Sequence, residues 1–326
     1  MALLEVDHLT VDIPTEAGVL HAVGGISFAL ERGETLAIVG ESGSGKSLTS
    51  LALMDLLPSS AVRRATALRF DGIDLLAAPQ RQKEDLRGNR MAMIFQEPMT
   101  SLNPAYTIGD QLTEALRRHH AISRQQARER AIHLLERVGV TAAASRLSQY
   151  PHQLSGGLRQ RVMIAMGLMC EPDLMIADEP TTALDVTIQA QILRLLRDLQ
   201  QEFGMALILV THDLGVVARI ATKVAVMYAG RLVETGPVDA VFGSPSHPYT
   251  RGLLRAIPVP GRTRPGEPLG TIPGQVPSLI GDVAGCAFRN RCELASPSCA
   301  GEIPERRLGG DHRMACVRDA TAGRAA

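Results

Sequence analysis

A glycine-rich octapeptide near the N-terminus carries the groups that bind phosphate. It matches the pattern G-x-x-x-x-G-K-[ST] in full. Its members are Gly40, Glu41, Ser42, Gly43, Ser44, Gly45, Lys46 and Ser47. Glycines let backbone N–H groups approach phosphate oxygens, and the helix expected after the loop adds a favourable dipole. Lys46 should reach the β- and γ-phosphates, and Ser47 should ligate Mg²⁺. A flexible turn with a chance lysine is the alternative, and the strand–loop–helix pattern disfavours it.

Two adjacent carboxylates follow a short apolar run at residues 174–177. Asp178 is suited to hold Mg²⁺ through water, as the equivalent acid does in phosphate-loop NTPases. Glu179 can orient and deprotonate an attacking water as general base. A solvated surface pair is the alternative, but the four apolar residues before it make an exposed position unfavourable. The pair therefore predicts hydrolysis of the bound nucleotide.

A third segment, residues 154–161, reads Leu-Ser-Gly-Gly-Leu-Arg-Gln-Arg. Taken alone, Ser-Gly-Gly before a helix could be a simple N-cap with flexible residues. The segment also resembles the signature motif of ABC ATPases, and its hydroxyl and exposed N–H groups suit a second phosphate-contacting surface. The resemblance implies that Ser155, Gly156 and Gly157 contact the nucleotide of a second subunit, so that two chains enclose two nucleotides.

The other motifs of that family follow in the expected order. Gln96 stands in Ile-Phe-Gln-Glu-Pro, Asp185 in Ala-Leu-Asp and His212 in Thr-His-Asp. The resemblance implies that Gln96 senses Mg²⁺ and γ-phosphate, that Asp185 lies at the dimer seam, and that His212 contacts γ-phosphate. A lone histidine after an apolar strand is more often a packing or capping residue, so the role of His212 depends on the resemblance.

One feature of the family is missing from the N-terminal segment. ABC ATPases usually stack adenine on an aromatic side chain ahead of the phosphate loop, but residues 1–27 contain no Phe, Tyr or Trp. Leu20 or His21 would have to cover the base instead. The adenine contact is therefore left open.

Strand and helix patterns alternate through most of the 326 residues. This predicts an α/β fold with a helical insertion at about 97–160 and a small irregular C-terminal extension. With the resemblance, it implies a phosphate-loop ABC ATPase core with a mixed β-sheet, in which the insertion is a helical subdomain. Prolines become frequent from about residue 244, so we expect an ATPase domain at 1–243 and an extension at 244–326. Lys plus Arg and Asp plus Glu both number 34, which gives no net field to attract nucleic acid. We expect no secretory leader and no membrane span.

Further stretches resemble the dipeptide and oligopeptide importer branch, closest to the D-type ATPase subunits of dipeptide importers. These stretches are residues 40–43, 96–104, 150–153, 177–189 and 247–250. The resemblance implies an ATPase that uses ATP and Mg²⁺ as a peripheral subunit on the cytoplasmic face of the inner or plasma membrane. Its implied partners are a second ABC ATPase subunit, two transmembrane permease subunits and an extracytoplasmic peptide-binding protein. A heterodimer is favoured, and a homodimer stays open.

Other functions remain as alternatives. Nickel and glutathione importers share these sequences, and the chain itself does not name the solute. A soluble ABC ATPase of DNA repair or translation is disfavoured by the single cassette and the lack of heptads. A subunit that binds nucleotide without hydrolysing it is disfavoured because Glu179 and His212 are both present.

Four cysteines crowd the last fifth of the chain with the spacing C-x₅-C-x₆-C-x₁₆-C. They are Cys286, Cys292, Cys299 and Cys316. Four thiolates suit a [4Fe-4S] cluster or structural zinc, and the long spacings favour the cluster. Members of the importer branch can carry such a cluster. Loop cysteines without metal are the alternative, and His312 is a substitute ligand to consider.

Overall fold

Strands and helices alternate in the computed structural model, which describes residues 2–181, 185–257, 270–281 and 284–318. The strands in these residues are β1 (Leu4–Thr15), β2 (Gly18–Leu30), β3 (Thr35–Val39), β4 (Val62–Arg64), β5 (Ala67–Phe70), β6 (Ile73–Asp74), β7 (Met91–Ile94), β8 (Leu174–Asp178), β9 (Ala206–Thr211), β10 (Lys223–Tyr228), β11 (Arg231–Pro237), β12 (Glu305–Gly309) and β13 (His312–Ala315). The helices in the same residues are α1 (Lys46–Leu53), α2 (Gln80–Leu86), α3 (Pro98–Ser101), α4 (Ile108–His119), α5 (Arg124–Arg137), α6 (Ala143–Arg146), α7 (Gly156–Leu168), α8 (Val186–Phe203), α9 (Leu214–Ile220), α10 (Val238–Gly243) and α11 (Pro248–Arg255).

The described chain forms two compact units. The first contains residues 31–34 and 77–210, and the second contains residues 2–30, 35–76 and the described residues from 211 onward. The predicted helical segment at 97–160 falls within the first unit. The boundary near residue 243 falls inside the second unit and stays a prediction.

The first unit has three strands in a row, β7, β8 and β9, which pair in parallel. All five residues of β8 are buried, as expected for a parallel strand covered on both faces. The helices α3 to α7 belong to this unit, and each long one begins at a capped position. Ser123 and Gln126, for example, form a capping box at the start of α5.

The second unit contains two groups of strands. In one, β1 pairs antiparallel with β2, β4 and β5, and β5 pairs with β6. In the other, β10 pairs parallel with β3 and antiparallel with β11, while β13 pairs antiparallel with β11 and β12. Parallel and antiparallel pairing therefore occur in the same sheet, and the last two strands come from the C-terminal extension.

The C-terminal extension shares one hydrophobic core with earlier strands of this unit. Val226 and Val233 pack in the same buried cluster as Tyr249 and Phe288. The ring centroids of Tyr228 and Tyr249 are 4.6 Å apart, and those of Tyr228 and Phe288 are 5.2 Å apart. Among the described helices, none has both the length and the apolar character needed to cross a bilayer.

Candidate active site

The phosphate loop joins the end of β3 to the start of α1. All five residues of β3 are buried, so the loop starts from a fixed strand end. A Cβ at Gly40 would lie 2.1 Å from the Met227 carbonyl oxygen, and one at Gly45 would lie 2.4 Å from the Ala22 carbonyl oxygen. Gly45 also has a φ of +100°, in the region that favours glycine. The backbone at both positions therefore leaves no room for a side chain.

Two polar side chains of the loop are buried inside it. Lys46 is 5% exposed, and its Nζ donates to the carbonyl oxygens of Gly40 and Glu41, each at 2.9 Å. Ser44 Oγ is buried, and no group in the described residues hydrogen-bonds to it. A buried hydroxyl without a partner is costly unless a ligand supplies one. These features fit a loop built for an anionic ligand.

The predicted acidic pair ends β8 in the first unit. Asp178 is 4% exposed, so its carboxylate lies at a buried strand end. Glu179 is half-buried, has a φ of +43°, and donates its backbone N–H to the Val210 carbonyl at 2.9 Å. A non-glycine residue in this region is strained, and such strain concentrates at functional sites. Gln96 Nε2 donates to Glu179 Oε2 at 3.2 Å, which brings two predicted catalytic side chains together.

The predicted switch histidine belongs to the second unit. His212 is exposed and follows the buried residue Thr211 directly. The next residue, Asp213, accepts from the N–H groups of Gly215 and Val216 and caps α9. Its own N–H donates to Thr211 Oγ1 at 3.1 Å. The turn that presents His212 is therefore fixed on both sides.

The signature residues begin α7. Ser155 is the exposed N-cap, and its Oγ accepts from the Leu158 N–H at 3.4 Å. Gly156 and Gly157 are half-buried, and a Cβ at Gly157 would lie 3.5 Å from Ile188 Cγ2. Of the three signature residues only Ser155 is exposed, and their contact with a second subunit stays a prediction.

Asp185 has a local structural task. It is the exposed N-cap of α8, and its Oδ1 accepts from the Ile188 N–H at 2.9 Å. Ala183 and Leu184, which precede it in the predicted motif, lie outside the described residues. The seam role of Asp185 stays a prediction.

The adenine contact also stays open. Of the two residues proposed for it, His21 forms a hydrogen bond through Nδ1 with Asp12 Oδ1 at 2.7 Å.

The four C-terminal cysteines are all free thiols. Cys299 and Cys316 are buried, whereas Cys286 and Cys292 are half-buried. Burial raises the pKa of Cys286 and of Cys292, and neighbouring thiols of the set raise each further. A metal that binds such thiols displaces their protons, so any metal affinity here would rise with pH. Within the described ranges, no group of three or more His, Cys, Asp or Glu side chains could hold a metal ion. The described residues thus contain no preformed cluster site.

His312 bonds to a buried carboxylate through one ring nitrogen. Its Nε2 lies 2.8 Å from Glu234 Oε1, and both side chains are buried. The described residues contain no metal-binding group that includes His312, so its role as a substitute ligand finds no support.

Sequence reasoning missed the groups that surround Glu41. Arg291 forms two hydrogen bonds with the Glu41 carboxylate, and the Tyr249 hydroxyl accepts from the Glu41 N–H. Burial raises the pKa of Tyr249, so its hydroxyl stays neutral. Tyr249 lies in one of the stretches that resemble peptide importers. Arg291 belongs to no motif, and no signal in the sequence pairs it with a residue 250 positions earlier.

Family models and curated relatives match this sequence along most of its length. Residues 23–182 match the family model for ABC transporters, and residues 233–299 match that for the oligopeptide/dipeptide transporter C-terminal region. The dipeptide transport ATP-binding protein DppD of Escherichia coli is 50% identical over 314 residues, which cover 96% of this chain and 95% of that protein.

Solved structures show the same core. A dimeric ATP-binding cassette in a post-hydrolysis state with ADP and phosphate is 26% identical, with a TM-score of 0.64, over 72% of this chain and 98% of that one. A subunit of an ABC transporter complex from Clostridium perfringens is 28% identical, with a TM-score of 0.61, over 74% of this chain and 91% of that one.

The chain therefore belongs to the ABC transporter family of ATPases. Within that family it carries the C-terminal region of the oligopeptide and dipeptide transporters. The predicted α/β fold, the ATPase class and the resemblance to the peptide-importer branch are confirmed.

Proposed function

We propose that this chain hydrolyses ATP to drive the import of dipeptides or oligopeptides. The observation that carries the proposal is the 50% identity with the dipeptide transport ATP-binding protein over 96% of the chain. The match of residues 233–299 to the oligopeptide/dipeptide transporter C-terminal region supports the same branch. In this role the chain is a peripheral subunit on the cytoplasmic face of the membrane.

The phosphate loop binds the nucleotide. Backbone N–H groups of residues 40–47 and the Lys46 ammonium hold the phosphates, and Lys46 gives up its contacts to Gly40 and Glu41 to do so. Ser44 Oγ, buried without a partner in the described residues, supports this role. Ser47, Asp178 and Gln96 are suited to hold Mg²⁺, which when bound neutralises charge on the phosphates.

Glu179 takes a proton from the attacking water. Its hydrogen bond with Gln96 holds the carboxylate in one orientation, which a general base needs. His212 contacts the γ-phosphate from the capped turn after β9. These roles come from the motif positions, and the measured contacts of each residue are compatible with them.

Dimerisation completes the mechanism. Ser155, Gly156 and Gly157 contact the nucleotide of a second ABC ATPase subunit, and Asp185 lies at the seam. The dimeric cassette among the solved relatives supports pairing. We propose a different ATPase chain as the partner, with a homodimer as the alternative.

The membrane partners are two permease subunits, which receive substrate from an extracytoplasmic peptide-binding protein. The helical insertion at about 96–154 is the proposed docking surface. Tyr106 and Tyr150 within it are 56% and 38% exposed, and Phe95 just before it is 40% exposed. Exposed aromatic side chains are typical of protein interfaces.

The hydrolytic assignment is tested with Glu179→Gln. Removing the general base should lower ATP turnover by about 10²–10⁴-fold and leave MgATP affinity nearly unchanged. Glu171→Gln is the matched control, because Glu171 is a 61% exposed carboxylate in the same unit, paired with Arg130. Turnover of Glu179→Gln equal to that of the control would refute the assignment.

The solute is tested by uptake. Cells that lack the chromosomal copy are complemented with the wild type or with Glu179→Gln, and uptake of labelled dipeptide, tripeptide, Ni²⁺ and glutathione is compared. Peptide uptake restored only by the wild type supports the proposal. Restoration of Ni²⁺ or glutathione uptake alone would assign the chain to those importers. No restored uptake with normal ATPase activity would favour a role outside transport.

We also propose Cys286, Cys292, Cys299 and Cys316 as ligands of an iron–sulfur cluster, with zinc as the alternative. The spacing of the four cysteines in the sequence supports this, although the described residues contain no group of three or more side chains arranged to hold a metal. No step of ATP hydrolysis depends on it. Iron, sulfide and zinc analysis of anaerobically purified protein is the test. About four irons and four sulfides per chain would support the cluster, and a metal-free protein would refute it.

A further inference from the structure

The second residue of the phosphate loop is held by the opposite end of the chain. Arg291 Nη1 donates to Glu41 Oε2 at 2.6 Å, and Nη2 donates to Oε1 at 2.9 Å. The Tyr249 hydroxyl accepts from the Glu41 N–H at 2.9 Å. A bidentate arginine–carboxylate pair fixes both distance and orientation. Backbone and side chain of Glu41 are therefore both bound by the C-terminal extension.

Arg291 is itself fixed in place. Its side chain is 4% exposed, and it donates to the carbonyl oxygens of Ile272 at 3.0 Å and Pro273 at 2.9 Å. The guanidinium lies 5.8 Å from the ring centroid of Tyr228 and 6.0 Å from that of Phe288. Such a site suits the planar guanidinium and would not suit a lysine ammonium.

Glu41, which Arg291 holds, also contacts Lys46, the residue expected to bind phosphate. The Glu41 carbonyl accepts from Lys46 Nζ, as does the Gly40 carbonyl. The position of the Glu41 peptide therefore decides where Lys46 rests. A shift of Glu41 would move both the loop backbone and the lysine.

We propose that Arg291 is a positioning residue that holds the phosphate loop ready for nucleotide, so that the C-terminal extension sets ATP affinity. A loop already in its bound conformation loses less conformational entropy when it binds. The inference rests on the proposed nucleotide-binding role of the loop and is independent of the transported solute.

The test measures MgATP affinity and steady-state hydrolysis with the full-length chain. If Arg291→Gln leaves about a tenth of the molecules with a competent loop, Kd and KM for ATP rise about tenfold. The kcat at saturating ATP should change by less than about twofold, because Arg291 acts on the free loop and nucleotide binding restores it. Arg291→Lys keeps the charge but loses the planar fork, and it should show the same effect in smaller degree.

Two further variants make the result specific. Arg313→Gln removes an exposed ion pair with Glu305 in the same extension and should leave Kd unchanged. Glu41→Gln and the double variant Glu41→Gln/Arg291→Gln complete a cycle. Because the two residues act as one pair, the double variant should bind no more weakly than the worse single variant.

Each outcome decides the matter. Wild-type Kd in a folded Arg291 variant, or additive effects in the cycle, would overturn the inference, as would a lowered melting temperature with unchanged Kd. If Arg291→Gln does not fold, Arg291→Lys gives the deciding value. Lys46→Ala serves as the reference for the proposed function of the loop. If Lys46→Ala binds MgATP as well as the wild type, the proposed function of the loop is wrong. If Lys46→Ala loses MgATP affinity while the Arg291 variants keep it, only the inference about Arg291 is refuted.

Discussion

Glu234 is a buried carboxylate that joins three parts of the C-terminal chain. Its side chain is fully buried. Oε1 accepts from the Ser246 N–H and lies 2.8 Å from His312 Nε2, while Oε2 accepts from the His247 N–H at 2.9 Å. We predict that Glu234→Gln will destabilise the second unit strongly, although it changes neither size nor shape.

The magnitude follows from counting acceptors. Glutamine supplies one oxygen, so its amide N–H₂ must face at least one N–H donor that had an acceptor before. A hydrogen bond to a charged group contributes about 1.5–3 kcal/mol, and an unsatisfied buried group costs about 1–3 kcal/mol. The free energy of unfolding should therefore fall by about 3–5 kcal/mol, from one lost charge-assisted hydrogen bond and one unsatisfied buried donor.

Urea unfolding followed by circular dichroism measures this, with Glu305→Gln as control. Glu305 is 59% exposed and pairs with Arg313, so its loss should cost at most about 1 kcal/mol. A midpoint for Glu234→Gln that coincides with that of Glu305→Gln would refute the reasoning.

Two other changes test local features of the same unit. Gly45→Ala places a Cβ 2.4 Å from the Ala22 carbonyl and should abolish MgATP binding in a binding assay. At Gly43 the φ of +77° also favours glycine, but a Cβ would meet nothing within 4 Å, so Gly43→Ala should weaken binding less; equal effects would contradict this. Burial lowers the pKa of His247 from 6.5 to about 3, so between these values the unfolded chain binds a proton that the folded chain does not, and stability falls with falling pH. His247→Asn keeps an acceptor for the Tyr249 N–H. When the pH is lowered from 6.5 to 5, its free energy of unfolding, measured in urea, should fall by about 2 kcal/mol less than that of the wild type. Equal decreases in the two proteins would count against the low pKa of His247.

The local geometry that the sequence predicts is set by consecutive residues. The phosphate loop is one octapeptide, and its glycines are required by carbonyl groups that a Cβ would strike. Asp178 follows four buried apolar residues, so its place at a strand end could be predicted. Burial along one segment and the geometry of one turn are both set locally, which is why a pattern can reveal them.

The features missed depend on pairs far apart in the chain. Arg291 and Glu41 are 250 positions apart, and His312 and Glu234 are 78 apart. No periodicity or composition connects such partners, because only the folded chain brings them together. The cysteine spacing suggests His312 as a metal ligand, but only the folded chain shows that its Nε2 bonds to a carboxylate from β11.

The C-terminal extension is more than an appendage to the nucleotide-binding residues. A change in composition near residue 243 suggests a boundary, yet Tyr249 and Phe288 beyond it share a core with Val226 and Val233 before it. A chain ending at residue 243 would keep every ABC motif but would leave the carboxylate of Glu41 without Arg291 and that of Glu234 without His312. The Tyr249 hydroxyl, which accepts from the Glu41 N–H, would be lost as well, so neither the side chain nor the backbone of Glu41 would keep its partner in the extension. The phosphate loop is therefore held by residues that belong to no ABC motif.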